Sequence, residues 1–208
     1  MDQKAFWNGR YSKEGKIWGD APSNTAVYAL IQFKKYPIQR ILVPGAGYGR
    51  NTRLFSDAGY KVTGIEISDV ALKLSNEFDP ATTFFEMSAL DLDKLEGKYD
   101  AIYCFNVLHL FMAEERESLI QKCLNSLENN GLLFFVVFSE KDESFGKGKE
   151  IEPNTFESKP GRPSHYFTEA DLKAHFRKTR IIETGLVEEP ETHGEGPHTH
   201  MLRYILCG

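Results

Sequence analysis

Cysteine is scarce in this sequence, and the few cysteines show neither the even number of a disulfide framework nor the spacing of a metal site. Cys104, Cys123 and Cys207 are the three cysteines among 208 residues, an odd number without the spacing of a metal site. Each lies inside an apolar or periodic segment, which predicts reduced side chains in the core. A reduced set fits a reducing compartment, although so small a number equally fits a protein in which cysteine says nothing about location.

Long apolar runs and an excess of positive charge are also missing. The longest apolar runs, such as residues 132–138, are much shorter than the roughly 20 residues that a membrane-spanning helix needs. Residues 1–4 lack the apolar stretch of a secretion signal. The net charge of -5 comes without a basic stripe, which argues against a nucleic-acid partner. We therefore expect a cytoplasmic protein that binds neither membrane nor nucleic acid.

The remaining composition is that of an ordinary globular protein. Hydrophobic residues make up 41% of the chain and charged residues 26%, close to the averages for such proteins. A chain of 208 residues can bury a sizeable core without disulfides or metals. We expect a single domain over residues 1–208, as a monomer or a homodimer.

Short strand-like segments alternate with amphipathic helical segments along most of the chain. Strands are predicted at residues 40–44, 61–66, 82–87, 100–105, 132–138, 180–187 and 201–207. Helices are predicted at residues 51–58, 70–78, 114–127 and 168–176. This alternation predicts an α/β fold: a Rossmann-like, doubly wound seven-stranded sheet, mostly parallel, with helices on both faces. Because only a polar stretch, residues 188–199, joins the last two strands, we expect an antiparallel C-terminal hairpin.

Two segments lie outside the alternation. Residues 1–24 carry aromatic side chains without a clean period, and residues 139–167 form a long connection rich in glycine, proline and charge. We expect the first to cap a ligand cleft and the second to be a loop on its acceptor side, because long loops in compact domains often serve as lids. The alternatives are aromatic residues that plug the edge of the sheet and a plain mobile surface loop.

A glycine-rich turn follows the first predicted strand. It contains Gly45, Ala46, Gly47, Gly49 and Asn51 and leads into a helix. Glycine lets the backbone turn sharply and approach a ligand, and the helix start offers free N–H groups. Doubly wound sheets bind nucleotides at this junction. A dinucleotide site favours Gly-x-Gly-x-x-Gly, whereas the spacing here is Gly-x-Gly-x-Gly, which disfavours a nicotinamide cofactor.

An acidic residue ends the neighbouring strand. Glu66, followed by Ile67, stands at the carboxyl end of the second predicted strand. A carboxylate there can accept hydrogen bonds from both hydroxyls of an unphosphorylated ribose. The alternative is an acid that is merely solvated. With the glycine turn, Glu66 predicts a site for one adenosine.

At these two motifs the sequence resembles the class I methyltransferases, in which a Gly-x-Gly-x-Gly turn is followed by an acid that closes the second strand. The resemblance extends over nearly the whole chain. It implies the cofactor S-adenosyl-L-methionine, released as S-adenosyl-L-homocysteine, and a small-molecule methyl acceptor. Ser88 stands where the family usually has Asp. The resemblance also implies cofactor contacts after the third and fourth strands, from Ser88, Ala89, Leu90, Phe105, Asn106 and Leu108.

The N-terminal residues resemble a subgroup. Residues 6–11, 18–24 and 49–52 are similar to the tellurite-resistance and thiopurine methyltransferase group. In that group the N-terminal segment folds over the cofactor. The resemblance therefore implies that Trp7, Tyr11 or Trp18 helps to close the pocket.

We expect methyl transfer by in-line displacement, in which the protein mainly supplies proximity and alignment. The sequence leaves the acceptor open between thiol, metalloid oxyanion, amine and carboxylate. A general base is optional, because soft acceptors are often already anionic. If one is used, His109 is the candidate, and a structural histidine is the alternative.

Three further histidines precede or enter the last strand: His193, His198 and His200. His198 and His200 share one face of an extended strand, and His193 or Glu195 could add a third metal ligand. We predict no metal, since small methyltransferases seldom need one, and favour acceptor binding or a structural hydrogen bond. Two rival functions stay open: a nicotinamide-dependent oxidoreductase built on the same sheet, and a non-catalytic module that has kept the S-adenosylmethionine pocket.

Overall fold

The alternating segments form regular elements in a computed structural model of the protein, which describes residues 2–193 and 196–208. The helices are α1 (Gln3–Glu14), α2 (Asn24–Phe33), α3 (Arg50–Asp57), α4 (Asp69–Phe78), α5 (Ala113–Ser126) and α6 (Glu169–His175), with 3-10 turns at Ala89–Lys94 and Leu108–Leu110. The strands are β1 (Arg40–Pro44), β2 (Lys61–Glu66), β3 (Thr83–Glu86), β4 (Tyr99–Phe105), β5 (Leu127–Phe138), β6 (Lys149–Glu152), β7 (Thr155–Lys159), β8 (Arg162–His165), β9 (Ile181–His193) and β10 (Gly196–Cys207).

The central sheet has seven strands in the order β3-β2-β1-β4-β5-β10-β9. Strands β1 to β5 run parallel to one another, and β10 pairs antiparallel with both β5 and β9. The predicted doubly wound sheet with a C-terminal antiparallel hairpin is confirmed. The chain places β2 and β3 on one side of β1 and then crosses to place β4 and β5 on the other side. The switch point therefore lies between the carboxyl ends of β1 and β4. Ligands bind at this point in such sheets.

The two faces of the sheet pack against different helices. Leu42 of β1 belongs to a core that includes side chains of α5 and α6, whereas Ile41 and Val43 pack on the other face with side chains of α2 and α3. Alternate residues of a strand point to opposite faces, so the uninterrupted apolar run of β1 reflects burial on both. The predicted helices on both faces are confirmed.

Two expectations drawn from composition can be compared with the fold. The three cysteines are free and buried, as predicted. Within the described residues, no helix combines the length and the apolar character needed to cross a membrane.

Residues 2–24, at the N-terminal end of the described chain, are more regular than the sequence predicts. A helix, α1, begins after Asp2, whose carboxylate accepts hydrogen bonds from two backbone N–H groups of the first turn. A second helix, α2, begins after Ser23, whose hydroxyl accepts from the N–H of Ala26 at 3.1 Å. In α1 only Tyr11 is buried, so the helix has no continuous apolar stripe. Hydrophobic periodicity in the sequence therefore could not predict it.

The connection over residues 139–167 is not the loop that the sequence predicts. It contains a second, antiparallel sheet with the strand order β6-β7-β8. Asn154 and Gly161 follow β6 and β7 with φ angles of 59° and 71°. Because these short strands are mostly polar, they lack the apolar alternation by which strands are recognised.

The polar stretch at residues 188–199 is mostly strand rather than hairpin loop. β9 continues to His193 and β10 begins at Gly196, beyond the predicted strand ends at residues 187 and 201. Glu189 and Glu191 are buried at alternate positions, because they accept hydrogen bonds from the N–H of Asn24 at 3.0 Å and from Arg50 at 3.1 Å. Because acidic residues occupy the buried positions here, the sequence lacks the alternation of apolar and polar residues that predicts a strand.

Candidate active site

A cleft of about 1500 Å³ opens at the switch point of the sheet. Usual small-molecule pockets measure roughly 300–1,000 Å³, so the cleft has room for a nucleotide and a second small ligand. We call the part next to the ends of β1, β2, β3 and β4 the glycine-turn half. The part lined by His109, Phe138, β8 and the ribbon of β9 and β10 is the ribbon half.

The glycine turn brings backbone rather than side chains to the cleft. Gly45 and Gly47 have φ angles of 66° and 59°, a left-handed conformation that other residues rarely adopt. A Cβ on Gly45 would overlap Cγ2 of Val107, and a Cβ on Gly47 would lie 3.0 Å from the hydroxyl oxygen of Tyr11. Because α3 begins just beyond the turn, its first N–H groups lie beside the cleft without partners in the helix. The turn therefore suits a ligand that approaches the backbone closely.

Glu66 is 6% exposed at the end of β2 and lines the cleft. Its two carboxylate oxygens accept hydrogen bonds from the N–H of Gly47 and the N–H of Ser68, both at 2.9 Å. Burial raises the pKa of Glu66, and these backbone N–H groups act in the opposite direction. A carboxylate offers about four acceptor sites. Glu66 can thus hold the glycine turn in place and still accept from ribose hydroxyls.

The segment after β3 shapes the next part of the wall. Ser88, Ala89 and Leu90 all line the cleft. The Ser88 hydroxyl accepts a hydrogen bond from the N–H of Leu90 at 3.2 Å, so this side chain starts the 3-10 turn. Its contact with a ligand stays a prediction.

Asn106 follows β4 in an unusual state. Its φ of 54° is in the left-handed region, and its Oδ1 atom is buried without a hydrogen-bond partner among the described residues. Strained backbone and unpaired buried polar atoms tend to collect at functional sites. Since Asn106 lies on the wall, Oδ1 is an acceptor available to a ligand that carries an N–H donor.

Four aromatic side chains form a cap beside the glycine turn: Trp7, Tyr11, Trp18 and Tyr48. The ring centroids of Trp18 and Tyr48 are 6.1 Å apart and nearly parallel, and Tyr11 lies 6.3 Å from both. The Tyr48 hydroxyl donates to the carbonyl oxygen of Gly19 at 2.6 Å and accepts from the N–H of Trp18 at 3.1 Å. This aromatic cap is thereby bound to the glycine turn, and it faces the cleft.

His109 lies on the wall but is poorly suited to the role of general base. Its ring centroid is 4.3 Å from that of Phe138, and its Nδ1 is buried without a hydrogen-bond partner in the described part of the chain. Burial, with the neighbouring His200 and His165, lowers the pKa of His109 to about 3. An efficient base has a pKa near the working pH. A neutral His109 can instead exchange a hydrogen bond with a bound molecule.

The structure brings most of the predicted site residues together. The following lie on the wall of the cleft: Trp7, Tyr11, Trp18, Gly45, Ala46, Gly47, Asn51, Glu66, Ile67, Ser88, Ala89, Leu90, Phe105, Asn106 and His109. Gly49 and Leu108 do not line it among the described residues. Gly49 caps α3 with a φ of 92°, and Leu108 is fully buried in the core. Asn51 also accepts a hydrogen bond from the N–H of Ser23 at 2.9 Å, which ties α2 to α3.

Three arginines on the wall were not predicted. The guanidinium of Arg10 lies 5.3 Å from the ring centroid of Trp18, that of Arg50 lies 5.4 Å from Phe105, and that of Arg162 lies 4.2 Å from Phe6. The place of Arg50 inside the glycine motif was a usable signal. The place of Arg10 within residues 6–11 was a second one, whereas nothing local marks Arg162, because only the fold brings its strand to the cleft.

The histidine cluster is partly described. His198 and His200 lie on the wall of the ribbon half, together with Glu191. The side chain of His193 and all of Glu195 lie outside the described residues. Glu191, from the neighbouring strand, takes the third position for which the sequence suggested His193 or Glu195.

The chemical groups that line the glycine-turn half match those of S-adenosylmethionine. The backbone N–H groups near the glycine turn suit its carboxylate, Oδ1 of Asn106 suits its ammonium, and Glu66 suits its ribose hydroxyls. The π-systems of the aromatic cap suit a sulfonium or an adenine.

Comparison with known proteins agrees with this chemistry. Residues 41–131 match a family model described as a methyltransferase domain. Thiocyanate methyltransferase 1 of Arabidopsis thaliana is 22% identical in an alignment over 160 residues that covers 74% of this chain and 70% of that protein.

Solved structures share the fold. TehB of Haemophilus influenzae has a TM-score of 0.69 and 18% identity, over 97% of this chain and 66% of that one. Magnesium protoporphyrin IX methyltransferase of Synechocystis PCC 6803, solved with bound S-adenosylhomocysteine, has a TM-score of 0.71 and 18% identity, over 98% and 96% of the two chains. The matched residues form a methyltransferase domain, and the chain resembles the class I S-adenosylmethionine-dependent methyltransferases of the tellurite-resistance and thiopurine group.

Proposed function

We propose that the protein methylates a small anionic acceptor, such as a thiolate or a metalloid oxyanion, by in-line displacement. When bound, S-adenosylmethionine supplies the methyl group on a sulfonium. The glycine turn, Glu66 and Asn106 hold the cofactor, and the acceptor enters the ribbon half.

The observation that carries the proposal is the environment of Arg162. This guanidinium lines the cleft and packs on Phe6, and it makes no ion pair with any acid in residues 2–193 and 196–208. Burial and the like charge of Arg10 lower the pKa of Arg162, so the site holds a partly desolvated positive charge. An unpaired buried charge is costly unless a ligand compensates it. An anionic acceptor would provide that compensation.

The residues around the acceptor have positioning roles. The aromatic cap excludes water, and neutral His109 exchanges a hydrogen bond with the acceptor through Nδ1. No base is required, because an anionic acceptor has no proton to lose. The name of the Arabidopsis relative refers to thiocyanate, a soft anion, which supports this class of acceptor.

We also propose a single domain over residues 1–208, with residues 1–24 over the cofactor and residues 139–167 on the acceptor side. A cytoplasmic monomer or homodimer that binds no nucleic acid remains our prediction.

The test is a methyl-transfer assay with wild-type protein, Arg162→Gln and Arg177→Gln against thiocyanate, a thiol, tellurite and a neutral amine. Arg177 is exposed and serves as the matched control. We expect turnover with one of the anions and, in Arg162→Gln, a KM for it raised roughly tenfold or more, the value of a charge-assisted hydrogen bond. The Kd for S-adenosylhomocysteine should not change. Preference for the amine, or an unchanged KM in Arg162→Gln, contradicts the proposal.

A further inference from the structure

Three metal-ligating side chains meet where the ribbon borders the cleft. The Nε2 atoms of His198 and His200 are 3.2 Å apart, and Oε2 of Glu191 lies 4.0 Å from Nε2 of His200. One ligand atom from each of the three residues lies within 4.8 Å of the others. Two of these residues come from β10 and one from β9, so antiparallel pairing holds the three together.

The outer nitrogens of both imidazoles have acceptors. Nδ1 of His200 lies 3.0 Å from Oδ2 of Asp142, and Nδ1 of His198 lies 3.0 Å from the carbonyl oxygen of Gly196. A carboxylate and a carbonyl can only accept, so each Nδ1 carries the hydrogen and donates it. In a neutral imidazole of this tautomer, Nε2 holds a lone pair. With both imidazoles neutral, two lone pairs would face each other at 3.2 Å, an arrangement that a shared cation, either a proton or a metal ion, relieves.

This arrangement has the supporting contacts of a metal site. Histidine ligands almost always donate their second N–H to a carboxylate or a backbone carbonyl, as both histidines do here. Asp142 is buried and also accepts from the N–H of Met201 at 3.0 Å, so it holds His200 in one orientation. Arg50 binds Oε1 of Glu191 at 3.1 Å, which directs Oε2 to the side of His200.

The distances fit a tetrahedral ion. With metal–nitrogen bonds of about 2.0–2.1 Å, two nitrogens of a tetrahedral zinc ion lie about 3.3–3.4 Å apart. The two Nε2 atoms are already 3.2 Å apart, and Oε2 of Glu191, at 4.0 Å from Nε2 of His200, would have to move closer to complete the set. Three protein ligands leave a fourth position, as in catalytic rather than structural zinc sites.

We propose that Glu191, His198 and His200 bind a divalent ion of the zinc type, whose fourth coordination position faces the ribbon half of the cleft. That position takes an anionic oxygen or sulfur ligand. The site is independent of the acceptor class proposed above, because metal binding requires no methyl transfer.

The test is titration of chelator-treated protein with Zn²⁺ by calorimetry and with Co²⁺ by visible absorption. We expect one ion per chain and the intense d–d bands of tetrahedral Co²⁺. His198→Ala and His200→Ala should weaken Zn²⁺ binding by more than the roughly 100-fold upper limit for loss of an outer-shell partner, and Asp142→Asn by roughly 10- to 100-fold.

Thr199→Ala is the matched control, since Thr199 lies between the two histidines and is exposed on the opposite face. This variant should bind Zn²⁺ like the wild type, and circular dichroism checks that all variants fold. The Co²⁺ spectrum of the wild type needs no variant to be informative. Absence of uptake by the wild type overturns the proposal in favour of a proton shared by the two histidines, and uptake that persists in both histidine variants overturns it in favour of an ion bound elsewhere. Either result leaves the methyl-transfer assay unaffected.

Discussion

The two halves of the cleft are built by different means. The glycine-turn half consists of backbone and short side chains that directly follow β1, β2, β3 and β4. The ribbon half is made by charged and polar side chains from distant segments, such as Arg162 of β8, Glu191 of β9 and His200 of β10. One half therefore depends on local conformation, and the other on contacts that only the complete fold creates. We expect substitutions in the two halves to fail in different ways.

The largest expected effect is that of Gly45→Ala. The new Cβ would overlap Val107, and the residue would keep a left-handed φ of 66°. The left-handed backbone of a residue with a Cβ alone lowers the free energy of unfolding by about 1–2 kcal/mol. Displacement of the turn should also abolish binding of S-adenosylhomocysteine. Denaturant unfolding and calorimetry measure the two effects.

Gly59→Ala is the control for this variant. Gly59 has a φ of 89°, but a Cβ there would meet nothing within 4 Å. The Gly59→Ala variant should lose about 1–2 kcal/mol of its free energy of unfolding to the left-handed backbone and keep its affinity for the cofactor. Equal cofactor affinity in Gly45→Ala would show that the turn does not approach the ligand.

Glu66→Gln should weaken cofactor binding by roughly 1.5–3 kcal/mol, the value of hydrogen bonds to a charged group. Some stability should also be lost, because the amide nitrogen of Gln cannot accept a hydrogen bond, so the N–H of either Gly47 or Ser68 loses its acceptor. Calorimetry with S-adenosylhomocysteine measures the affinity. Glu86→Gln, at the exposed end of the next strand, should leave it unchanged. If both variants bind alike, Glu66 only supports the turn.

His109 makes the ribbon half sensitive to acid. Its folded pKa of about 3 lies below the ordinary 6.5, so the unfolded chain takes up a proton that the folded chain does not. Stability should therefore fall as the pH decreases below 6.5, by up to about 1.4 kcal/mol per pH unit from this group. Urea unfolding at several pH values should give a shallower dependence for His109→Gln. Parallel curves for the two proteins would mean that His109 is solvated.

The smallest expected effect is that of Trp7→Leu in the aromatic cap. Removal of the indole should weaken cofactor binding by about 0.5–1 kcal/mol, the value of a cation–π contact at a partly exposed site. Phe85→Leu, on exposed β3, serves as the control. A loss of stability without a loss of affinity would assign Trp7 to packing at the edge of the sheet.

The sequence predicts the glycine-turn half well because its signals are local. β1 and β2 have their predicted bounds, Arg40–Pro44 and Lys61–Glu66, since each is a short run of strand-forming residues that ends at its motif. Glycine spacing and a strand-end acid report a backbone conformation that neighbouring residues determine. These signals need no knowledge of distant segments.

The ribbon half escapes prediction for the opposite reason. Glu189 and Glu191 are buried by partners in α2 and α3, and Arg162 reaches the cleft through a sheet that has no apolar face in its sequence. Hydrophobic periodicity cannot report burial that ion pairs and hydrogen bonds create. For the same reason, the sequence does not predict the strands β6, β7 and β8 or the full length of β9 and β10.

The most direct test of the account is hydrogen exchange of the wild-type protein with and without S-adenosylhomocysteine. Amides that a ligand covers or orders become protected. We predict protection at residues 7–18, 45–51, 66–68, 88–90 and 105–107, with little change at residues 162–165 and 196–200. Protection confined to the ribbon half, or equal exchange in both states, would contradict the assignment of the glycine-turn half to the cofactor.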